Sequence, residues 1–351
     1  MENISLRSIK WESIKAIFYS IAFADKISRA DISAQTGLSL MTVGKVADAL
    51  LDLNVIVQNK ESRNSAGRRA GMLSISSDHY GVILDLTNRA FRMTVINIRL
   101  EVLEKFYYSF NDAYSFEENL LLFLKEVRLF LQRNTDPTYC IGYGVSLPGP
   151  YFPDQDRARS TRIPELEKIP LAATIREALQ PNTLFIESAY NAAATSNISR
   201  IPNYKDKLIL YWFVGEGNIC GTVVNHGEVL HGAHKAAGNF GRMRVSREHT
   251  LEDAIRTENT PEANAFELAK AIRNVIQVVD PDMIVLECEL YKDNESFIQL
   301  VQRTLENQFA FPRESLPQLI GAGCKYRHSH RGLTMKLREM WLSELVLGEK
   351  L

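Results

Sequence analysis

The sequence has no excess of either charge. Lys and Arg number 41 against 42 Asp and Glu over 351 residues, for a formal net charge of −1. A uniformly basic nucleic-acid protein is excluded, although a local basic patch is not. Cysteine is scarce and scattered. Cys140, Cys220, Cys288 and Cys324 form no C-x-x-C pair, so neither a structural zinc site nor a disulfide framework is expected. Reduced, buried thiols in a cytoplasmic protein fit that usage better. No apolar run reaches the ~18 residues of a membrane helix. The opening MENISLRSIKWESIKAIF lacks the apolar core and cleavage site of a secretory signal. Neither a membrane partner nor export is expected. Short-period repeats and low-complexity stretches are missing as well. The composition that remains is 45% hydrophobic and 24% charged, ordinary for a chain of two or three domains with a sizeable core.

The chain changes texture near residue 76. Before it, helical periodicity dominates. Ile9, Ile14, Ile17, Phe18 and Ile21 share one face of a helix over Ser8–Phe23. Ser28 is placed to cap a second short helix containing Ile32, and Gly37 to end it in a tight turn. Ser39 is placed to cap a third helix, Leu40 to about Leu53, with Val43, Val46, Ala47, Leu50 and Leu51 as its buried stripe. Two short strands, Val55–Asn59 and Met72–Ile75, flank the polar loop KESRNSAGRRAG. After residue 76, strands rich in Val, Ile, Leu and aromatics alternate with helices. The spacing predicts three successive strands from His79 and a helix over Glu117–Gln132. Further strands are expected at CIGYGVSLPGP, up to Glu187, at Leu208–Phe213, at Gly221–Val224 and at Met283–Glu287, with helices from Asn191 and over Ala263–Val279. Such alternation predicts an α/β fold. Residues 1–76 and 77–351 are the expected domains.

Helix, glycine turn and a second helix with small polar residues on its outer face make a helix-turn-helix pattern. Ser39, Met41, Thr42, Lys45 and Asp48 fall on that face, and Gly44 leaves room for close approach. The alternative is a solvated face of a three-helix bundle. The hairpin favours DNA. Lys60, Arg63, Arg68 and Arg69 face a single acid, Glu61, and residues 1–75 hold ten basic against seven acidic side chains. A basic loop between two strands after a recognition helix describes a winged helix, whose arginines contact phosphate or a narrow minor groove. The candidate DNA contacts are Ser39, Met41, Thr42, Lys45, Arg63, Arg68 and Arg69. A duplex operator of two-fold symmetry implies at least a homodimer.

A winged helix ending in GRRAG, joined to an α/β region with SLPGP, ESAYNAAATS and HGAHKAAGNFGRM, resembles the ROK family of repressors, open reading frames and sugar kinases. The resemblance covers nearly the whole chain. It implies a two-lobed, actin-like, sugar-kinase-like (ribonuclease H-like) domain behind the winged helix. In the family's sensors, a sugar in the cleft between the lobes shifts the DNA-binding state.

Departures from the family pattern carry as much as the matches. The family's D-x-G-G-T phosphate loop is Asp85–Leu86–Thr87–Asn88–Arg89, without glycine. Its G-T-G-I-G loop is Gly215–Glu216–Gly217–Asn218, with a carboxylate where phosphate would lie. A third glycine-rich turn becomes Leu286–Glu287–Cys288–Glu289. The family motif E-N-D-A-N-A-A-A aligns with Glu187, Ser188, Ala189, Tyr190 and Asn191, so Ala189 occupies the position of the catalytic Asp, and a methyl group accepts no proton. Arg242 replaces the family's zinc-ligating His, and the following span has no cysteine. His249 is the one good zinc ligand within it. No metal, cofactor or catalytic residue is expected. The positions that hold sugar in the family become Ser188, Ala189, Asn239, Arg242 and Glu252, and with Asn191 the candidate effector residues are Ser188, Asn191, Asn239, Arg242 and Glu252. Two readings stand. Arg242, with Asn239 and Ser188, binds an anionic sugar acid or sugar phosphate; or Arg242 pairs with Glu252 or Glu187 and closes the pocket. The basic C-terminal group Lys325, Arg327, His328, His330 and Arg331 reads as a solvated turn before the last helix, or as a partner contact. The leading expectation is a DNA-binding transcriptional regulator, a repressor of carbohydrate-related genes. A sugar kinase with a helical N-terminal domain is the alternative. A protein-binding winged helix is a third reading, which the basic hairpin disfavours.

Overall fold

The computed structural model describes residues 2–59, 71–215, 217–257, 260–291, 294–308, 316–322 and 328–347. They form two compact units. One comprises Met1–Val145, Ile169–Ile186 and Leu333–Leu351; the other comprises Ser146–Lys168 and Glu187–Gly332.

The first unit begins with α1 (Glu2–Phe23), β1 (Ile27–Ser28), α2 (Arg29–Thr36), α3 (Leu40–Asp52), β2 (Ile56–Asn59) and β3 (Met72–Ile75). This is the winged helix-turn-helix order, and the strands pair antiparallel as β1-β3-β2. Its caps are local and read directly from sequence. The Ser28 hydroxyl accepts from the Asp31 amide at 3.2 Å, and the Ser39 hydroxyl from the Thr42 amide at 3.1 Å. Each satisfies a helix-start donor, worth ~1 kcal/mol. Gly37 ends α2 at φ 70°, where a side chain would be strained. Ile14, Ile17, Phe18 and Ile21 are buried with Ile32, Val43, Ala47 and Leu50. Val46 and Leu51 are only half-buried. Arg63, Arg68 and Arg69, with Lys60 and Glu61, lie outside the described residues.

Three antiparallel strands follow: β4 (Tyr80–Asp85), β5 (Ala90–Asn97) and β6 (Val102–Ser109). Next come α4 (Phe116–Asn134), β7 (Cys140–Leu147), the short pair β8 (Tyr151–Phe152) and β9 (Arg157–Ala158), α5 (Leu171–Leu179) and β10 (Leu184–Ser188). The first large sheet has the order β10-β7-β4-β5-β6. A capping box between Ser115 and Glu118 starts α4.

The second unit is built on α6 (Ala189–Ile198), β11 (Leu208–Gly215), β12 (Asn218–Asn225), β13 (Glu228–Leu230), α7 (Leu251–Thr257), α8 (Pro261–Val279), β14 (Met283–Cys288), α9 (Asn294–Gln308) and β15 (Gln318–Gly321). The order is β13-β12-β11-β14-β15, antiparallel between β11 and β12 and parallel between β11, β14 and β15. Strand alternation divides the core. Leu210, Trp212 and Val214 pack with residues of α7, α8 and α9, while Ile209 and Tyr211 pack with residues of α6. The strand expected at Met283–Glu287 is β14, so the segment that the resemblance aligns with a third glycine-rich turn, Leu286–Glu289, begins inside a buried strand.

The last helix, α10 (His328–Leu347), is reached in the second unit and continues into the first. His328 and His330 are buried in its first turn, so the described part of the basic C-terminal group is helix rather than a solvated turn. Within the first unit, the buried Arg338 donates to the Ile98 carbonyl at 2.7 Å and lies 5.0 Å from the Phe18 ring centre. That contact fastens α1 to the body of the unit, through a hydrogen bond and a cation–π interaction.

Candidate functional sites

The outer face of α3 is the first site. Ser39, Met41, Lys45 and Asp48 are exposed and Thr42 is partly so. The Thr42 hydroxyl lies 2.9 Å from that of Ser39, and the Asp48 carboxylate accepts from Arg29 at 2.6 Å. The sequence pattern overlooked Leu40. Leu40 is named neither on the outer face nor in the buried stripe, yet it is 60% exposed, beside Met41, which is expected on the outer face and is 72% exposed. One turn beyond Leu40, a Cβ added to Gly44 would meet only the Arg29 guanidinium, at 3.8 Å. The face is open down to the backbone.

The second site is a cavity of about 760 Å³ inside the second unit. All five candidate effector residues, Ser188, Asn191, Asn239, Arg242 and Glu252, line it. They come from three separate segments. The first is the junction of β10 and α6. There Ser188 is the N-cap, its hydroxyl accepting from the Asn191 amide at 3.2 Å. Glu187 accepts through one oxygen from the Ser188 amide at 2.7 Å and the Asn191 side chain at 3.0 Å. Its other oxygen lies 3.5 Å from His231. The Asn191 side-chain oxygen, Oδ1, accepts from the Thr222 hydroxyl of β12 at 2.8 Å. Beside them the Asn218 amide donates to the Tyr190 hydroxyl, and burial raises the Tyr190 phenol and the Cys220 thiol well above their ordinary pKa values. Ala189 opens α6, where the resemblance places the catalytic carboxylate.

The second segment is HGAHKAAGNFGRM, which lies directly on β12. A Cβ on Gly238 would come within 2.1 Å of the Gly221 carbonyl, and one on Gly241 within 2.1 Å of the Ile219 carbonyl. Only glycine permits that approach. Phe240, 7% exposed, stacks on the fully buried Trp212 with ring centres 4.3 Å apart. The stacked ring anchors the turn that presents Asn239 and Arg242 to the cavity. The third segment is the start of α7, where the Thr250 hydroxyl donates to the Asp253 carboxylate at 2.6 Å and accepts from its amide at 3.2 Å. Glu252 follows from that capped turn.

Sequence reasoning missed the β8–β9 hairpin, whose Tyr151 and Phe152 also line the cavity with the adjoining Arg159. There Arg159 lies 4.9 Å over the Phe152 ring and pairs with Glu167 at 3.4 Å. Four cationic side chains line the cavity (Arg159, Arg162, Lys235 and Arg242), against the four carboxylates of Glu167, Glu187, Glu252 and Asp253, with His231 and His234 beside them. Arg242 makes no ion pair among the described residues, and neither does Lys235. The expectation that Arg242 pairs with Glu252 or Glu187 and closes the pocket is therefore corrected: Arg242 pairs with neither, and Glu187 is bonded to Ser188 and Asn191 and faces His231. No group of three or more His, Cys, Asp or Glu side chains among the described residues is arranged to hold a metal ion, and His249 is exposed. No described helix is long and apolar enough to cross a membrane.

The glycine-free Asp85–Arg89 turn, in the first unit, is bonded to itself. Asp85, 5% exposed, accepts from the Thr87 amide at 3.0 Å and from its hydroxyl at 2.5 Å. Glu216 lies outside the described residues.

No family model matches this chain, and no curated protein matches it. Solved structures do. A ROK family transcriptional regulator, homologue of the E. coli MLC protein, superposes with a TM-score of 0.72 at 15% identity, over 97% of this chain and 99% of that one. A ROK family protein from Streptococcus pneumoniae TIGR4, solved with sucrose, gives 0.60 at 17% over 76% of this chain and 98% of its own. The ROK hexokinase from Thermus thermophilus gives 0.57 at 18% over 73% and 97%. The fold is of the ROK type, shared by a regulator that matches almost end to end and by kinases that match about three quarters of the chain.

Proposed function

We propose that this chain is a DNA-binding transcriptional regulator, a repressor of carbohydrate-related genes, in which residues 1–76 read a palindromic operator and residues 77–351 form a non-catalytic domain that dimerises and senses a sugar-derived anion. The observation that carries the reading is the outer face of α3. It is held by the Ser39 cap, open at Gly44 and turned to solvent at Met41 and Lys45, within a segment that holds ten basic against seven acidic side chains. Ser39, Met41, Thr42 and Lys45 contact base edges or phosphate, and Arg63, Arg68 and Arg69 contact phosphate from the wing.

Three features support the absence of phosphoryl transfer. Ala189 offers no base. The Thr87 amide, in the turn that would approach phosphate, is already bonded to Asp85. Glu187 is engaged by Ser188 and Asn191. The Arg242 guanidinium and the Lys235 ammonium, without ion pairs among the described residues, supply charge for a carboxylate or phosphate, and Arg forks such a group in two hydrogen bonds. Asn239, Ser188, Asn191 and Glu252 surround the ligand's hydroxyls.

The decisive experiment selects duplexes from random DNA with the full chain, with and without sugar acids and sugar phosphates. A two-fold symmetric consensus whose occupancy changes with one of these anions is the expected result. Indifference to every duplex at low salt, or ATP turnover with any member of a sugar panel, would overturn the proposal in favour of a kinase.

A further inference from the structure

Three large apolar side chains are exposed among the described residues of the winged helix: Phe23, Leu40 and Met41. Phe23 stacks on Tyr19 with ring centres 6.0 Å apart. Leu40 and Met41 are different. They are the first two residues of α3, immediately after its cap, and are 60% and 72% exposed. Along the helix surface, Leu40 is the neighbour of Gly44 and Met41 the neighbour of Lys45. A Leu–Met pair therefore stands next to a bare stretch of backbone and a cation.

Resting on the DNA-binding reading above, we infer that Leu40 and Met41 read the C5-methyl groups of thymines in the major groove, so that each operator half-site carries at least one thymine recognised by apolar contact. The reasoning is chemical. In a helix-turn-helix the first residues of the second helix meet base edges. Leu and Met side chains offer no useful donor or acceptor to the hydrogen-bond pattern of those edges. The one apolar group the major groove displays is the thymine methyl. The missing side chain at Gly44 lets the groove wall close over the pair, removing both from water. Lys45, one turn along from Met41, supplies the adjacent charge for phosphate. The excess of basic side chains in this segment fits a polyanion better than an apolar protein surface.

The test replaces thymines of a selected duplex one at a time by deoxyuridine, which removes the methyl and leaves base pairing intact. Affinity is measured by fluorescence anisotropy for the full chain, for Leu40→Ala, for Met41→Ala and for the double variant. Alanine at these exposed positions favours the helix, so the variants fold. At one or more thymines of each half-site, wild type loses about fourfold in affinity per methyl removed, the effect of one buried carbon. The double variant binds the natural duplex more weakly and no longer distinguishes thymine from deoxyuridine at those positions. Equal affinity of wild type for every deoxyuridine duplex would overturn the inference while leaving DNA binding intact. Failure to bind any duplex would remove the underlying reading as well. Loss of dimer mass in the double variant, with duplex affinity unchanged, would assign the pair to a protein contact instead.

Discussion

The outer face of α3 and the cavity of the second unit use similar side chains to opposite ends. On α3 the side chains make few bonds, Ser39 with Thr42 at the cap and Asp48 with Arg29 of α2, and the rest of the face is left to solvent. At the cavity, the bonds of Asn191 to Glu187, of Thr222 to Asn191 and of Asn218 to Tyr190 tie together β10, α6 and β12. A partner as large as a duplex is met by side chains on a rigid helix and needs little convergence. A small ligand needs polar groups fixed in advance from several directions. In this cavity part of that fixing has consumed the groups themselves, and the charges left unpaired among the described residues are cationic.

The sharpest way to separate the two regions is Phe240→Ala. Loss of the ring stacked on Trp212 costs about 3–5 kcal/mol, read as a lower denaturation midpoint, and abolishes any anion response of the cavity. Duplex affinity without ligand should not change; an equal loss there would break the separation. Glu287 comes next. Burial raises its carboxyl from 4.5 to about 7, with the Tyr211 and Asn197 hydrogen bonds opposing. Because the folded-state value lies above the unfolded one, its contribution is full below pH ~4.5 and is lost as the pH rises to about 7. Glu287→Gln should therefore unfold about 2–3 kcal/mol less readily than wild type at pH 8 and equally at pH 4, by denaturant titration at each pH. In the front segment, Arg68→Ala with Arg69→Ala weakens operator binding about tenfold or more and makes its salt dependence shallower; unchanged binding would remove the wing from the interface. Gly44→Ala has the smallest effect and opposite signs in two measurements. It stabilises the segment by about 0.5–1 kcal/mol, since the new methyl meets only Arg29 at 3.8 Å, while duplex affinity falls because the groove can no longer approach the backbone.

Local features are legible in the sequence alone. Ser28, Gly37 and Ser39 act within a few residues of their own positions, so the helix boundaries of the front segment follow from side-chain chemistry at short range. The apolar, aromatic run Leu208–Phe213 predicted a strand, and Ala189 excludes a base wherever its backbone lies. The same short-range logic passed over Leu40, because whether an apolar residue at a helix start is covered depends on neighbouring elements. Residue pattern did place a strand at Met283–Glu287, and the structure extends it to Cys288 through pairing with β11, a strand distant in sequence.

Residue types alone therefore settled the order of elements, the capped start of α3 and the absence of a proton acceptor at position 189, since each depends on atoms a few bonds or one helical turn apart. Folding had to decide which charges meet. Arg242 and Glu252 stand ten positions apart and could pair on sequence grounds, but the close seating of Gly238 and Gly241 on β12 and the stacking of Phe240 on Trp212 set where Arg242 lies. Such convergence comes from long-range packing, and no reading of neighbours along the chain contains it.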